Sequence, residues 1–180
     1  MRYLYLIIFI LFIFSKENAK AQSDPVEIKK KAVLVIHGGA GTILKENMTG
    51  EKEQEITAVL AKALQKGYKI IKKGKSSEEA IVAAISYMED DENFNAGRGS
   101  VLNEQGIVEM DASIMNGSGL KAGGVAGVHK IKNPILAAQA VKNESKHVLL
   151  SGNGAEKFAE SLKLDFEEAS YFITDKQKKS

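Results

Sequence analysis

The chain has 180 residues, with 25 Lys and Arg against 23 Asp and Glu, sixteen glycines, two prolines and neither Cys nor Trp. That length suits one domain or a piece of one, and a composition 44% apolar and 27% charged excludes a disordered, collagen-like or multi-pass membrane chain. Without cysteine there is no disulfide framework, thiolate nucleophile, zinc–thiolate site or iron–sulfur cluster, and His37, His129 and His147 are too scattered for a His-rich metal centre.

Arg2 precedes twelve uninterrupted apolar or aromatic residues, Tyr3 to Phe14, and a polar stretch then leads to Ala19-Lys20-Ala21. The run is too short to span a bilayer, and the small-x-small triplet stands where a signal peptidase cuts. Residues 1–21 therefore read as a secretory signal peptide cut before Gln22, leaving residues 22–180 as the mature portion in a secreted or periplasmic compartment, off the membrane once cut. An uncleaved anchor is the alternative. Cleavage leaves 22 basic and 22 acidic residues, so bulk charge draws the mature chain to no nucleic acid. Lys29 to Lys31 read as a solvated entry to the first strand.

Ala32 to Ile36 is a continuous β-branched and apolar run that predicts a strand buried on both faces, ending at His37-Gly38-Gly39-Ala40-Gly41. Over residues 51–73, Ile56, Val59, Leu60, Ala63, Leu64, Tyr68 and Ile71 recur at helical spacing, with Gly74 as a stop. Ser76 and Glu79 form a capping box ahead of Ala80, Ile81, Ala84, Ile85 and Met88, a second helix ending near Asp90. After a polar, turn-rich stretch, Ile107 to Met115 alternates as a strand. Val108, Met110, Ala112 and Ile114 share one face, and Glu109, Asp111 and Ser113 the other.

Gly117 to Gly119 then supply a hairpin turn into a strand over Leu120 to His129, whose small residues predict close packing by another layer. Asn133-Pro134 reads as a cap and first helical residue, opening a helix through about Val141. A short strand at His147 to Leu150, a turn at Gly152-Asn153-Gly154 and a helix over Ala155 to Leu162 follow. The stretch Asp165 to Ser180 offers no strand or cap. Antiparallel pairing with helices outside predicts an α+β fold.

Two Gly-rich loops could carry chemistry. His37-Gly-Gly-Ala-Gly41 would let backbone N–H groups approach an anion or a developing oxyanion, although it matches no nucleotide fingerprint, and such a cluster after a strand is more often a tight turn than a site. In Asn93 to Ser100, Asn95 is a neutral donor and acceptor able to polarise a carbonyl or orient a nucleophile, and such a loop can hold a hard cation by carbonyls alone. A Gly-rich turn with Asn in a left-handed conformation is the alternative. No Ser-His-Asp triad, paired carboxylates or H-E-x-x-H is present.

At these same loops the chain resembles the plant-type L-asparaginase/isoaspartyl peptidase group of N-terminal-nucleophile hydrolases. The resemblance runs from about Ala32 to Leu162 and rests on Val35 to Gly41 (VIHGGAG), Phe94 to Val101 (FNAGRGSV), Val108 to Met115 (VEMDASIM), Leu120 to Val128 (LKAGGVAGV), Asn133-Pro134 and Ser151 to Ala155 (SGNGA), in that order. It implies a four-layer αββα sandwich, of which this chain is the N-terminal half, made as a precursor that cleaves itself at a Gly–Thr bond. The freed Thr is then the nucleophile and its own α-amine the base, a sound pairing because an α-amine titrates near about 8.

The substrate would be a small amide, asparagine or an isoaspartyl dipeptide. The partner would be the chain's own β-subunit, assembled as an αβ dimer of dimers. By the same resemblance Gly38 and Gly39 line the nucleophile site, Asn95 helps position it and His37 supports it. Main-chain carbonyls of Met88, Glu89, Asp91, Phe94, Ala96 and Arg98 would wrap a structural sodium ion, with no catalytic cofactor. The sequence departs from the family in lacking Gly-Thr-Val-Gly: its only Gly-Thr is Gly41-Thr42, in the first turn. Asn116 and Gly124 stand where the family often has Asp and Ala. A non-catalytic secreted binding protein or pseudoenzyme, and an aspartylglucosaminidase, are the other readings.

Overall fold

The computed structural model describes residues 32–39, 48–175 and 177. The expected leader at 1–21, the lysines at 29–31 and the expected turn residues 40–42 lie outside the described residues.

The 32–36 run forms no strand. A strand exists only through a neighbour that takes its N–H and C=O groups, and no described strand pairs with this one. The expectation of burial on both faces also fails, since Val33 and Val35 are 78% and 80% exposed. Their neighbours Leu34 and Ile36 are half-buried. Leu34 lies so close to the first helix that a methyl group on Gly67 would stand 2.6 Å from its Cδ2.

That helix, α1, spans Gly50–Lys72 and buries Val59, Ala63 and Gly67. Gly67 takes the place in the stripe expected of Tyr68, which is exposed. Thr49 Oγ1 accepts from Lys52 N at 3.2 Å to cap it, and Gly74 ends it at φ +74°, the left-handed conformation that glycine adopts without strain. Helix α2 spans Ser77–Glu89 behind the expected capping box: Glu79 N donates to Ser76 Oγ at 3.1 Å, and Ser76 N donates to Glu79 Oε2 at 3.1 Å. Ser76→Ala is expected to cost about 1 kcal/mol, read as a lower urea midpoint; an unchanged midpoint would show that the cap contributes nothing.

Strand β1 (Met110–Asn116) pairs antiparallel with β2 (Lys121–Val128). Asn116 Oδ1 closes the turn between them, accepting from Ser118 N at 2.9 Å and Gly119 N at 3.2 Å. A bulge in β2, where Ala126 and Gly127 face Asp111 alone, interrupts the register, and the Asp111 carboxylate accepts from Gly127 N at 2.8 Å there. Strand β3 (Leu149–Ser151) lies parallel to β2, with Gly124 opposite Leu149. Among the described residues the sheet is therefore mixed, antiparallel between β1 and β2 and parallel between β2 and β3. A parallel neighbour needs a crossover, supplied by helix α3 (Pro134–Glu144).

One face of the sheet is covered. Helix α3 and helix α4 (Gly152–Ser161) rest on it. Val125, Val128, Val141, Ala155 and Ala159 share one core cluster, while Ile114, Ile135, Ala138 and Val82 of α2 share a second. The small residues of β2 serve this packing: a methyl group on Gly123 would stand 2.4 Å from both Ala138 O and Lys142 N. The Gly152-Asn153-Gly154 triplet forms the first turn of α4 rather than a connection before it. On the opposite face Ser113, Met115, Ala122, Gly124, Val148 and Leu149 line an open apolar groove, where Met115 and Leu149 are each 59% exposed.

The stretch after α4 is also built in, contrary to expectation. Phe166 bridges to Ile131, and helix α5 (Ala169–Phe172) seats Phe172 fully in the core. Long-range pairing supplies what local pattern did not show. No described helix is long and apolar enough to cross a membrane.

Candidate functional site

Glu89, the last residue of α2, is the one buried carboxylate of this region, 3% exposed. Its Oε1 accepts from Ile135 N at 3.0 Å, an orphan donor of the first turn of α3. Asn133 was the expected cap of α3, but its side chain makes no capping bond. Instead its Nδ2 donates to Ser86 O at 3.3 Å and Asp90 Oδ1 at 3.1 Å. The cap is thus borrowed from another helix, and Asn133 ties α2 to α3. Burial pushes the Glu89 carboxyl up to about 7, against the Ile135 N–H bond that favours its charged form.

The chain then turns sharply from Asp91 to Gly99. Asp91 Oδ1 accepts from Asn93 N at 2.9 Å and Asn93 Nδ2 at 2.8 Å, and the same amide reaches Glu55 Oε1 on α1 at 2.8 Å. Phe94 is buried. A 3₁₀ turn, Gly97–Gly99, closes the loop, with Gly97 at φ +54°. A methyl group there would stand 2.2 Å from Glu89 O, and one on Gly99 would stand 2.1 Å from Phe94 O and 2.9 Å from Glu92 O. Glycine is required at both positions because main-chain carbonyls crowd the loop interior.

The residues expected to carry function sort clearly by position. Asn95 is exposed on this loop, and its Oδ1 accepts from Val101 N at 2.9 Å, spanning the 3₁₀ turn. Gly38 stands beside the same loop: a methyl group on it would lie 3.4 Å from Leu60 Cδ1 and 3.6 Å from Phe94 Cε1. The two Gly-rich segments therefore meet over α1. Gly39 faces open space at φ +125°, and its N–H donates to His37 Nδ1 at 3.2 Å, so His37 shapes the turn through its ring.

Of the six expected carbonyl donors, Glu89 O and Phe94 O crowd Gly97 and Gly99. Met88 O accepts from Asp91 N at 3.1 Å and Ala96 O from Gly99 N at 3.2 Å, each keeping a second lone pair. Asp91 and Arg98 flank them in the same loop. No group of three or more acidic or His side chains suited to a metal exists among the described residues.

Sequence reasoning missed two features around this loop. The resemblance gives Glu89 a role for its main-chain carbonyl and none for its carboxylate, to which only the fold brings Ile135. Tyr171 of α5 lies over the loop with its ring 5.5 Å from the Arg98 guanidinium and 5.9 Å from Lys132 Nζ. Burial, helped by the Asp90 charge, holds its hydroxyl above the ordinary tyrosine range. A smaller buried network lies apart from the site. Lys142 Nζ at 2.7 Å, with Gln139 and Asn116, holds the Glu78 carboxyl below the usual range.

Comparison with known proteins accounts for the two loops together. The family profile described as Asparaginase matches residues 30–180. The chain is 42% identical to a mouse isoaspartyl peptidase/L-asparaginase over 147 residues, covering 82% of this chain and 44% of that protein. It is 48% identical to a plant-type L-asparaginase of Pyrococcus abyssi over 126 residues, covering 70% and 40%. It is 41% identical to an isoaspartyl peptidase of Escherichia coli over 129 residues, covering 72% and 40%. The chain spans less than half the length of these relatives. With its profile match, its relatives and its two adjoining glycine loops, the chain belongs to the asparaginase family that includes the isoaspartyl peptidase/L-asparaginases.

Proposed function

We propose that this chain is the N-terminal portion of a secreted or periplasmic amidohydrolase that cleaves itself and then hydrolyses L-asparagine and isoaspartyl dipeptides. The observation that carries the reading is the meeting of the Gly38 loop with the Asn95 loop in a member of this family. The reported relatives bear isoaspartyl peptidase or asparaginase names. Those names favour the reading over a glycosyl-asparagine hydrolase or a non-catalytic binding protein.

In the proposed reaction a threonine freed by Gly–Thr cleavage attacks the side-chain carbonyl of the substrate. Its α-amine takes the hydroxyl proton and delivers it to the departing ammonia or amine, and water then releases aspartate from the acyl-enzyme. This chain's share is positional. The Gly38 backbone N–H offers a donor to the developing oxyanion, His37 holds the turn by accepting from Gly39 N, and Asn95 orients the nucleophile. The nucleophile would come from the β-subunit, because Gly41-Thr42 is the only Gly-Thr here and its cleavage would remove the first segment.

The open apolar face of the sheet supports the four-layer αββα reading, in which a second sheet from the β-subunit covers Met115 and Leu149. A hard monovalent cation suits the carbonyls of Met88, Glu89, Asp91, Phe94, Ala96 and Arg98, because glycine at 97 and 99 leaves the loop interior to oxygen atoms. Its contribution would be to order the loop.

Residues 22–180 purified alone are expected to release no ammonia from asparagine. The full reading frame, carried through a downstream Gly-Thr-Val-Gly, is expected to yield two polypeptides and to hydrolyse asparagine and an isoaspartyl dipeptide. Ammonia release by residues 22–180 alone would refute the threonine assignment, and preference for a glycosyl-asparagine would move the protein to the related branch.

A further inference from the structure

The segment after α4 grips the Asn95 loop at three points, and nothing in the proposed reaction uses it. Its own footing is firm: Lys132 N donates to Asp165 O at 3.0 Å, Glu167 N donates to Lys130 O at 2.9 Å, and Phe172 is fully buried. From that footing the Tyr171 hydroxyl donates to Asp90 Oδ1 at 3.4 Å, where the loop leaves α2. The Tyr171 ring lies 5.5 Å from the Arg98 guanidinium on the loop's return arm. Gln177 Nε2 donates to Gly99 O at 2.6 Å, where the loop ends. Gln177 is itself held, its Oε1 accepting from Thr174 N at 3.1 Å and from the Thr174 hydroxyl.

We infer that Tyr171 and Gln177 are positioning residues that hold the 90–99 loop, and through it Asn95, in working geometry. Asn95 is exposed and ties itself down through one bond to Val101 N. A short irregular loop of this kind stays in one conformation only if its neighbours hold it. The ring of Tyr171 packs against the core cluster that holds Phe172, while its hydroxyl is directed to Asp90. Its bond to Asp90 is spent on the loop. The catalytic part of this inference rests on the amidohydrolase reading, whereas the mechanical part does not.

Tyr171→Phe, Tyr171→Ala and Gln177→Ala in the full reading-frame protein test both parts. Hydrogen exchange over 93–101 is expected to quicken about tenfold in Tyr171→Ala and less in the other two, with β1 and β2 unchanged. For asparagine hydrolysis kcat is expected to fall about tenfold in Tyr171→Ala with KM held within about twofold, because a displaced loop misaligns the reacting groups without removing substrate contacts. Tyr171→Phe is expected to recover part of that loss.

Unchanged exchange over 93–101 in both Tyr171→Ala and Gln177→Ala would overturn the clamp even in an active enzyme. Equal quickening in β1 and β2 would also overturn it, since that marks general loss of stability. Should the parent protein hydrolyse no amide while exchange over 93–101 responds as expected, the functional reading falls and the clamp stands.

Discussion

Gly97→Ala is expected to destabilise the chain by about 3 kcal/mol or more, read from urea unfolding followed by circular dichroism. Two costs combine. At φ +54° an L side chain sits in the left-handed region, worth about 1–2 kcal/mol. The new methyl group would also stand 2.2 Å from Glu89 O and 2.8 Å from Glu89 C. Those are backbone atoms at the end of a helix whose next element is docked through the same residue, so they have little room to retreat. Gly74→Ala separates the two costs, because Gly74 has φ +74° with no neighbouring atom within 4 Å of the added carbon. It is expected to cost about 1 kcal/mol. Equal losses from the two substitutions would show that the carbonyl crowding at Gly97 relaxes at no cost, and would weaken the case for a cation there.

The second large effect is a dependence of stability on pH that disappears in Glu89→Gln. The Glu89 carboxyl is raised from 4.5 to about 7 in the folded chain, chiefly by burial. Between those values the folded chain therefore holds a proton that the unfolded chain has released. Stability from this group is complete below about pH 4.5 and is lost as pH rises through about 7. A rise of this size corresponds to about 3 kcal/mol across that window. Urea unfolding at pH 5, 6, 7 and 8 is expected to show the parent chain weakening as pH rises. Glu89→Gln retains an acceptor for Ile135 N and loses the charge, so its curve is expected to run nearly flat. Parallel slopes for the two chains would sink the assignment.

The carboxyl has a reason to be half-served. Its Oε1 takes the Ile135 N–H at 3.0 Å, whereas its Oε2 is buried without a hydrogen-bond partner. A neutral carboxyl bears that burial at much lower cost than a carboxylate. Glu89 therefore joins α2, the glycine loop and α3 while adding one acceptor to the start of α3.

Elements set by neighbours in sequence were legible. The capping box at Ser76, the stop at Gly74 and the apolar stripe of α1 each depend on residues three or four positions apart, which share one helical face whatever else the chain does. The alternation over Met110 to Ile114 likewise assigned the covered face of β1 correctly. Tyr68 and Gly67 mark where that logic ends. Adjacent residues compete for one edge of the stripe, and the approach of Leu34 and the Ala80 carbonyl decides for the residue without a side chain.

Functional loops were legible as motifs and illegible as geometry. The glycines at 38 and 39 and the Asn95 loop stand out by composition, yet their adjacency depends on Leu60 and Phe94 filling the space between them. The run at 32–36 shows the opposite failure. Its composition is that of a buried strand, but pairing is supplied by another segment, and no described strand lies beside it.

What the sequence by itself determined is the local order: two amphipathic helices, the first with its glycine stop and the second with its capping box, a hairpin, and the family, because motifs and periodicity depend on neighbours along the chain. What only the tertiary structure decided is every partnership across long separations. Glu89 caps a helix that begins 45 positions later, Asn133 serves α2 instead of its own helix, and Tyr171 reaches Asp90 over 81 positions. A polar group is indifferent to sequence distance and requires only a partner within about 3 Å. Which partner arrives is settled by the packing of the apolar faces.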